Sequence, residues 1–242
     1  MQTWGSLTGT DLTKGPVVIP AGTGQVQHAI WCATARPAEE SDGNHGGPID
    51  RQLRTSSTCF MRGLSERIQI NTNTGLTWQW RRLVYTMKGG ALHLDVFDPG
   101  TSPVARQTSE GMVRMWATDS TVVDRAIDIV FRGNNGTDWS NAFIAPVDRT
   151  KVTVLSDTTR LIRSGNDQGV IRMFRPYYRF NKNLYYQDDE TGDEMNTGMF
   201  SVTSKAGMGD VYVHDMFYPN EGGDSADTLR LDIEARLFWS EK

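Results

Sequence analysis

The chain has 242 residues, 38% hydrophobic and 22% charged, with a formal net charge of −4; that balance is typical of a folded protein and excludes general disorder. Its apolar runs are only a few residues long, so no stretch reads as a membrane-spanning helix, and the start Met1-Gln2-Thr3-Trp4 carries no secretory pattern. Cys32 and Cys59 are the only cysteines, too few for a metal quartet or a disulfide framework, and are expected as buried thiols in a reducing setting.

In chain order, alternation around Ile68–Ile70 and at Leu92, Leu94 and Val96 predicts short strands. Trp78–Met87 lies between them and is rich in the β-branched and aromatic residues that strands favour. Val122, Val123, Ala126, Ile127, Val130 and Phe131 then fall at helical spacing. With Asp119 or Ser120 as N-cap and Gly133 just past the end, they predict one core-packing helix at about 120–132. Asn135-Gly136-Thr137 fits a glycosylation sequon, but Asn-Gly reads as a turn.

Val170–Phe180 and Val211–Tyr218 are further strand candidates. Leu229, Leu231, Ile233, Ala235, Leu237 and Trp239 alternate with Arg230, Asp232, Glu234, Arg236 and Phe238, the signature of a strand buried on one face. Gly, Pro, Asn and Asp clusters at Arg36–Pro48, Asp98–Pro103, Arg132–Asp138, Asp188–Gly198 and Pro219–Asp227 separate these elements. Many short strands, no internal repeat and no low-complexity linker predict one all-β domain over 1–242, a sandwich or jelly roll.

Catalytic motifs are absent. There is no phosphate loop, no Gly-x-Ser-x-Gly elbow and no His-Glu-x-x-His, and the four histidines (His28, His45, His93, His214) have no ligand spacing. A carboxylate pair could still converge from among the 29 acids. Asp188, Asp189, Glu190, Asp193 and Glu194 form an acidic loop that is a candidate cation site, because Ca²⁺ and Mg²⁺ take oxygen ligands. The spacing does not fit an EF-hand, and a solvated loop or an ion-pairing contact with a neighbouring subunit is the favoured reading over a metal site.

Charge is sorted along the chain. Arg51–Lys88 holds seven Lys/Arg and one acid, Glu66; Gly169–Gln187 holds four bases and no acid; Asp188–Lys242 holds thirteen acids and four bases. Such blocks let one surface meet a polyanion while others meet further copies of the chain. Thr77–Tyr85 and Ile171–Lys182 interleave cations with rings, the combination that holds phosphates and stacks unpaired bases. By period two, Val170, Phe174, Tyr178 and Phe180 share a core face with Arg172 as the intruder, so the rings also fit a core.

The segments Thr58–Glu66, Asp138-Trp139 followed by Ile144–Asp148, Asn181–Glu190, Ser204–Asp210 and Glu234–Trp239, in that order, resemble the coat proteins of genomoviruses, small circular single-stranded DNA viruses. The last third is more distantly similar to geminivirus coat proteins. The resemblance covers most of the chain from about Ile30. It implies an eight-stranded antiparallel jelly roll of the viral capsid type, with the inserted helix near 120–132. It also implies assembly of identical copies into an icosahedral shell around single-stranded DNA, with no cofactor, no membrane partner, and a location in the virion and, during assembly, the host nucleus. Family members usually begin with an arginine-rich arm, whereas the first fifty residues here hold only Lys14 and Arg36 as bases; such an arm is expected before Met1.

The expected function is therefore a structural coat subunit and not an enzyme. Candidate nucleic-acid contacts are Arg81, Arg82, Arg172, Arg175, Arg179 and Lys182, with Arg51, Arg54 and Lys88 as second choices and Trp78, Trp80 and Tyr177 as stacking platforms. The alternative is a carbohydrate-binding jelly-roll module using Trp4 and Trp139; a jelly-roll glycoside hydrolase or lyase with two carboxylates in one cleft is the third reading.

Overall fold

The computed structural model describes residues 3–5, 13–39, 52–93, 101–108, 111–116, 120–192 and 194–241. Its strands begin with β1 (Thr3–Gly5), β2 (Thr13–Lys14), β3 (Val17–Pro20), β4 (Gln27–Cys32), β5 (Thr58–Thr72) and β6 (Trp78–Met87). Next come β7 (Thr101–Ser102), β8 (Ala105–Thr108), β9 (Gly111–Met115), helix α1 (Ser120–Val130) and β10 (Thr153–Ile162). The chain closes with β11 (Val170–Phe174), β12 (Tyr177–Thr191), β13 (Glu194–Ser201), β14 (Asp210–Pro219) and β15 (Thr228–Glu241).

Two antiparallel sheets face each other. One has the order β10-β6-β14-β4; the other runs β13-β12-β5-β15-β3, with β11 also on β5. β11 and β12 are one strand broken at Arg175-Pro176: Phe174 pairs with Ile68 and Tyr177 with Ser65, so the register carries through unchanged. Proline cannot donate to a ladder, but the Pro176 carbonyl still accepts from the Glu66 amide at 3.1 Å. Counted this way, β3, β5, β11–β12 and β15 of one sheet and β4, β6, β10 and β14 of the other make an all-β jelly roll with one inserted helix. A third sheet, β2-β1-β9-β8-β7, joins it, with β1 and β9 parallel.

The two faces of the four-stranded sheet are both covered. Trp78, Trp80, Val84, Val211, Val213 and Phe217 fill the space between the sheets together with Met61, Leu64, Ile68, Ile70, Leu229 and Leu231. On the opposite side Leu83, Tyr85, Tyr212 and Met216 pack with Val122, Ala126 and Val130 of α1 and with Phe131. Fully burying each such apolar side chain contributes about 1.5–3 kcal/mol. β6 and β14 are accordingly buried at nearly every position, whereas β5 and β15 alternate.

α1 ends at Val130, two residues before the expected limit, because Phe131 leaves the helix to bridge Val147 and Gly133 takes a φ of +83°. Gly136 adopts a φ of +82° with its amide on the Trp139 carbonyl, so Asn135-Gly136 is the expected turn. Two expectations are corrected. Residues 91–93 form a turn and not a strand start, with Leu92 buried and 94–100 outside the described residues. Asp188–Gly198 is not a loop but most of a hairpin, in which Asp188 pairs with Thr197 and Thr191 with Glu194. β4 and β10 have too little alternation to stand out in the sequence, yet both take places in the four-stranded sheet. Cys32 and Cys59 are free and buried, and burial pushes the Cys59 thiol up to about 12. No helix among the described residues is long and apolar enough to cross a membrane.

Candidate nucleic-acid interface

Among the described residues no helix covers the outer face of the sheet β12-β5-β15-β3. Along β11–β12 the even-numbered residues Phe174, Tyr178, Phe180 and Leu184 point between the sheets, and odd-numbered Ile171, Met173, Arg175, Tyr177 and Arg179 are exposed. β15 contributes Arg230, Asp232, Glu234, Arg236 and Phe238 from its outward positions, and β5 contributes Arg62 and Arg67. Six arginines thus share this face with two carboxylates. Both carboxylates are bridged: Asp232 to Arg230 at 3.2 Å, and Glu234 to Arg236 at 2.9 Å and Arg67 at 4.0 Å. The hydrogen bond from Arg236 holds Glu234 below the usual carboxylate range. A shallow depression of about 340 Å³ lined by Arg67, Gln69, Met173, Asp232 and Glu234 lies within the face.

An irregularity at Arg62-Gly63 shapes the centre. Across β15 the register shifts between Phe238 and Trp239, and across β12 between Arg179 and Lys182, where Asn181 takes a φ of +51°. Such a bulge bends the strand and leaves a residue unpaired. Here Arg62 is exposed and Gly63 lies covered beneath Tyr177, while Met61 and Leu64 are buried in the core. Gly63 lets the Tyr177 ring lie flat across the sheet, 6.5 Å from the Phe238 ring, with the two rings 54% and 44% exposed. Arg62 is steadied by its Nε bond to Ser240 at 3.0 Å. Exposed rings flanked by guanidinium groups are the chemistry that takes unpaired bases and their phosphates.

Of the residues expected at the site, Arg175, Arg179 and Tyr177 are on this face. Arg172 and Lys182 are exposed but belong to the even-numbered set, pairing with Ile70 and Met61, and Lys182 lines a separate cleft.

Arg81, Arg82, Trp78 and Trp80 are corrections: all four are at most 5% exposed. Arg81 donates to both oxygens of Asp157 (3.0 and 2.8 Å) and to the carbonyls of Ala142 and Ala145, with Phe131 beneath it. Arg82 belongs to a closed group of four charges between the sheets. Glu66 accepts from Arg82 and, at 3.1 Å, from Arg114; Asp215 accepts from Arg114 at 3.0 Å and from the Trp80 indole at 2.8 Å. Burial opposes the charge on Arg82, but Asp215 and Glu66 outweigh it and raise its pKa above the ordinary value. Trp78 fills the core outright, and Trp80 stacks on Phe217.

Arg54 is likewise committed: it grips Asp188 through both oxygens and lies 4.3 Å over the Tyr186 ring. That contact occupies the first carboxylate of the acidic segment, although burial alone would raise it; the Arg54 and Ser57 bonds lower its pKa. Asp189 is exposed, while Asp193 and the side chains of Glu190 and Glu194 lie outside the described residues. Among the described residues no group of three or more potential ligands is placed to hold a metal. Arg51 also lies outside them. Trp139 is half-buried against Phe131 with its indole on the Arg132 carbonyl, which removes it as a sugar platform; the Trp4 side chain is outside the described residues.

Arg62, Arg67, Arg230, Arg236 and Phe238 were not among the expected contacts. Their outward alternation was legible in the sequence, but only the pairing of β15 with β5 and of β5 with β12 brings them beside Arg175 and Arg179. No known protein-family model matches this chain, and a search of curated proteins finds no match to it.

Proposed function

We propose that this chain is a coat subunit that assembles with copies of itself into a closed icosahedral shell around circular single-stranded DNA. The observation that carries the reading is the outer sheet face, which displays six arginines among the described residues together with the exposed Tyr177–Phe238 pair. The jelly roll supports it, since this architecture is widespread in shells, although one fold hosts many functions. Guanidinium groups on a rigid sheet neutralise phosphates, and rings without hydrogen-bond readout accept any base, as packaging a whole genome requires. Exposed apolar side chains away from this face, Ile144 at 78% and Leu161 at 61%, supply surface for contacts between copies.

The experiment is light-scattering mass together with the 260/280 nm absorbance ratio on the purified protein, with and without nuclease. Megadalton particles holding nuclease-protected single-stranded DNA support the reading. A monomer free of nucleic acid at high concentration and across salt overturns it.

A further inference from the structure

A second basic surface lies apart from the outer sheet face. A cleft of about 710 Å³ is bounded by the end of β6 (Thr86, Met87, Lys88), the turn 149–152 leading into β10, β12 at Lys182, Asn183 and Tyr185, and the loop at Gly207-Met208. Among the described residues four cations line it, Lys88, Arg149, Lys151 and Lys182, and no acid does. That volume is in the range of small-molecule sites.

The walls are built. The Lys88 ammonium donates to the carbonyls of Ser204 (2.7 Å) and Ala206, which folds the loop 204–207 over the cleft's rim. The Met208 amide closes the same loop on the Asn183 carbonyl at 2.9 Å. Gly207, at a φ of +72°, permits this closure, because a Cβ there would stand 2.8 Å from the Tyr185 ring. Across the cleft, Asp148 turns its carboxylate back on its own turn, accepting from the Thr150 amide at 2.9 Å and hydroxyl at 2.6 Å. Asp148 is thereby engaged, and Arg149, Thr150 and Lys151, which follow it, line the cleft in succession. Lys151 reaches the Asp128 carbonyl at 3.1 Å. The side chains of Arg149 and Lys182 make no hydrogen bond or ion pair among the described residues.

We propose that this cleft binds the phosphates of a nucleotide, with Arg149 and Lys182 as the principal phosphate contacts and Tyr185 and Met208 against the base. Two cations lining one cleft, with no acid among its described lining, attract an anion of more than one charge. Arginine suits the bidentate grip on phosphate oxygens, and lysine adds a point charge. The apolar part of the lining, Met87, Val152, Met208 and the Tyr185 ring, gives the base a surface that inorganic phosphate would leave unused. This assignment does not rest on the shell reading.

The test is calorimetric titration of the intact protein with inorganic tripolyphosphate and, separately, with ATP, at constant ionic strength and with sulfate as the control for charge alone. ATP is expected to bind more tightly than tripolyphosphate, and sulfate weakly. Arg149→Ala and Lys182→Ala should each weaken ATP by about tenfold or more, whereas Arg163→Ala, an exposed arginine outside the cleft, should leave it unchanged. All three side chains are exposed, so loss of folding does not obscure the result, and thermal melting of each variant checks it. Tripolyphosphate binding equal to ATP would remove the base contact and leave a phosphate site only. No ATP binding at millimolar concentration, or binding indifferent to both cleft substitutions, overturns the proposal.

Discussion

Tyr177 lies directly over Gly63: a Cβ built on Gly63 would stand 2.6 Å from the Tyr177 phenolic oxygen and 2.6 Å from the backbone oxygen of Tyr178. The absence of a side chain on β5 is therefore what sets the ring down beside Phe238. Gly63→Ala is expected to lift Tyr177 off the sheet and to cost about 1–3 kcal/mol, the usual range for overpacking. Urea midpoints measure the stability loss. Oligonucleotide affinity, compared with that of Tyr177→Ala, shows whether the ring's position and its presence are lost together.

The arginines divide into two groups with opposite phenotypes. Arg175→Ala and Arg179→Ala should leave stability within about 0.5 kcal/mol of the parent, since both are exposed. Each should reduce the slope of log affinity against log salt for single-stranded DNA by about 0.7. Arg81→Ala should do the reverse, leaving that slope intact while destabilising the fold. Fluorescence titrations of an oligothymidylate at four salt concentrations separate the two; an unchanged slope in both exposed variants would remove them from the interface.

The quartet of Glu66, Asp215, Arg82 and Arg114 is buried, with every side chain at most 3% exposed. Its charges cancel only as a set. Glu66→Ala leaves two guanidinium groups to one carboxylate and is expected to cost about 3–5 kcal/mol, the penalty for breaking a buried ion pair. Replacing all four with apolar residues of similar volume should cost less than the single change. Arg114 is the member supplied by β9, so hydrogen exchange in β9 should rise in Glu66→Ala beyond the global loss.

Acid should weaken the fold through His28 and His214, whose ring nitrogens meet at 3.0 Å. Burial lowers His28 to about 4, and burial, His28 and Arg81 lower His214 well below its ordinary value of 6.5. The unfolded chain gains these protons as pH falls below about 6.5, while the native pair refuses them until about 4 or lower. Stability is thus complete above that upper bound and declines between the two, by up to about 1.4 kcal/mol per pH unit for each group. Urea midpoints at pH 7, 5.5 and 4.5 measure the decline. His28→Gln should flatten it; an unchanged slope would assign acid sensitivity to other groups.

Period carried most of what the sequence revealed. The alternation of Leu229–Trp239 and the helical spacing of Val122–Phe131 need no partner to be read, and both match the structure closely. Trp78–Met87 was legible as a strand, but not that both its faces are covered: α1 and the opposite sheet arrive from distant parts of the chain. For that reason Arg81 and Arg82 looked like surface cations. Their counterions, Asp157, Glu66 and Asp215, lie on three other strands, and no local signal links them. The outer face was half legible: Arg175, Tyr177 and Arg179 by alternation, but not their neighbours on β15, which only register supplies.

The alternation that runs from Phe174 to Phe180 across the β11–β12 junction makes this stretch sensitive to length rather than to content. Odd positions can be exchanged freely, retuning the positive charge displayed by the sheet without entering the core. Insertion or loss of one residue between Val170 and Phe180 would invert the phase, bringing Phe174, Tyr178 and Phe180 into water and Arg175 and Arg179 between the sheets. Relatives of this chain should therefore diverge here by replacement and keep the spacing fixed, even where no residue at the odd positions is retained.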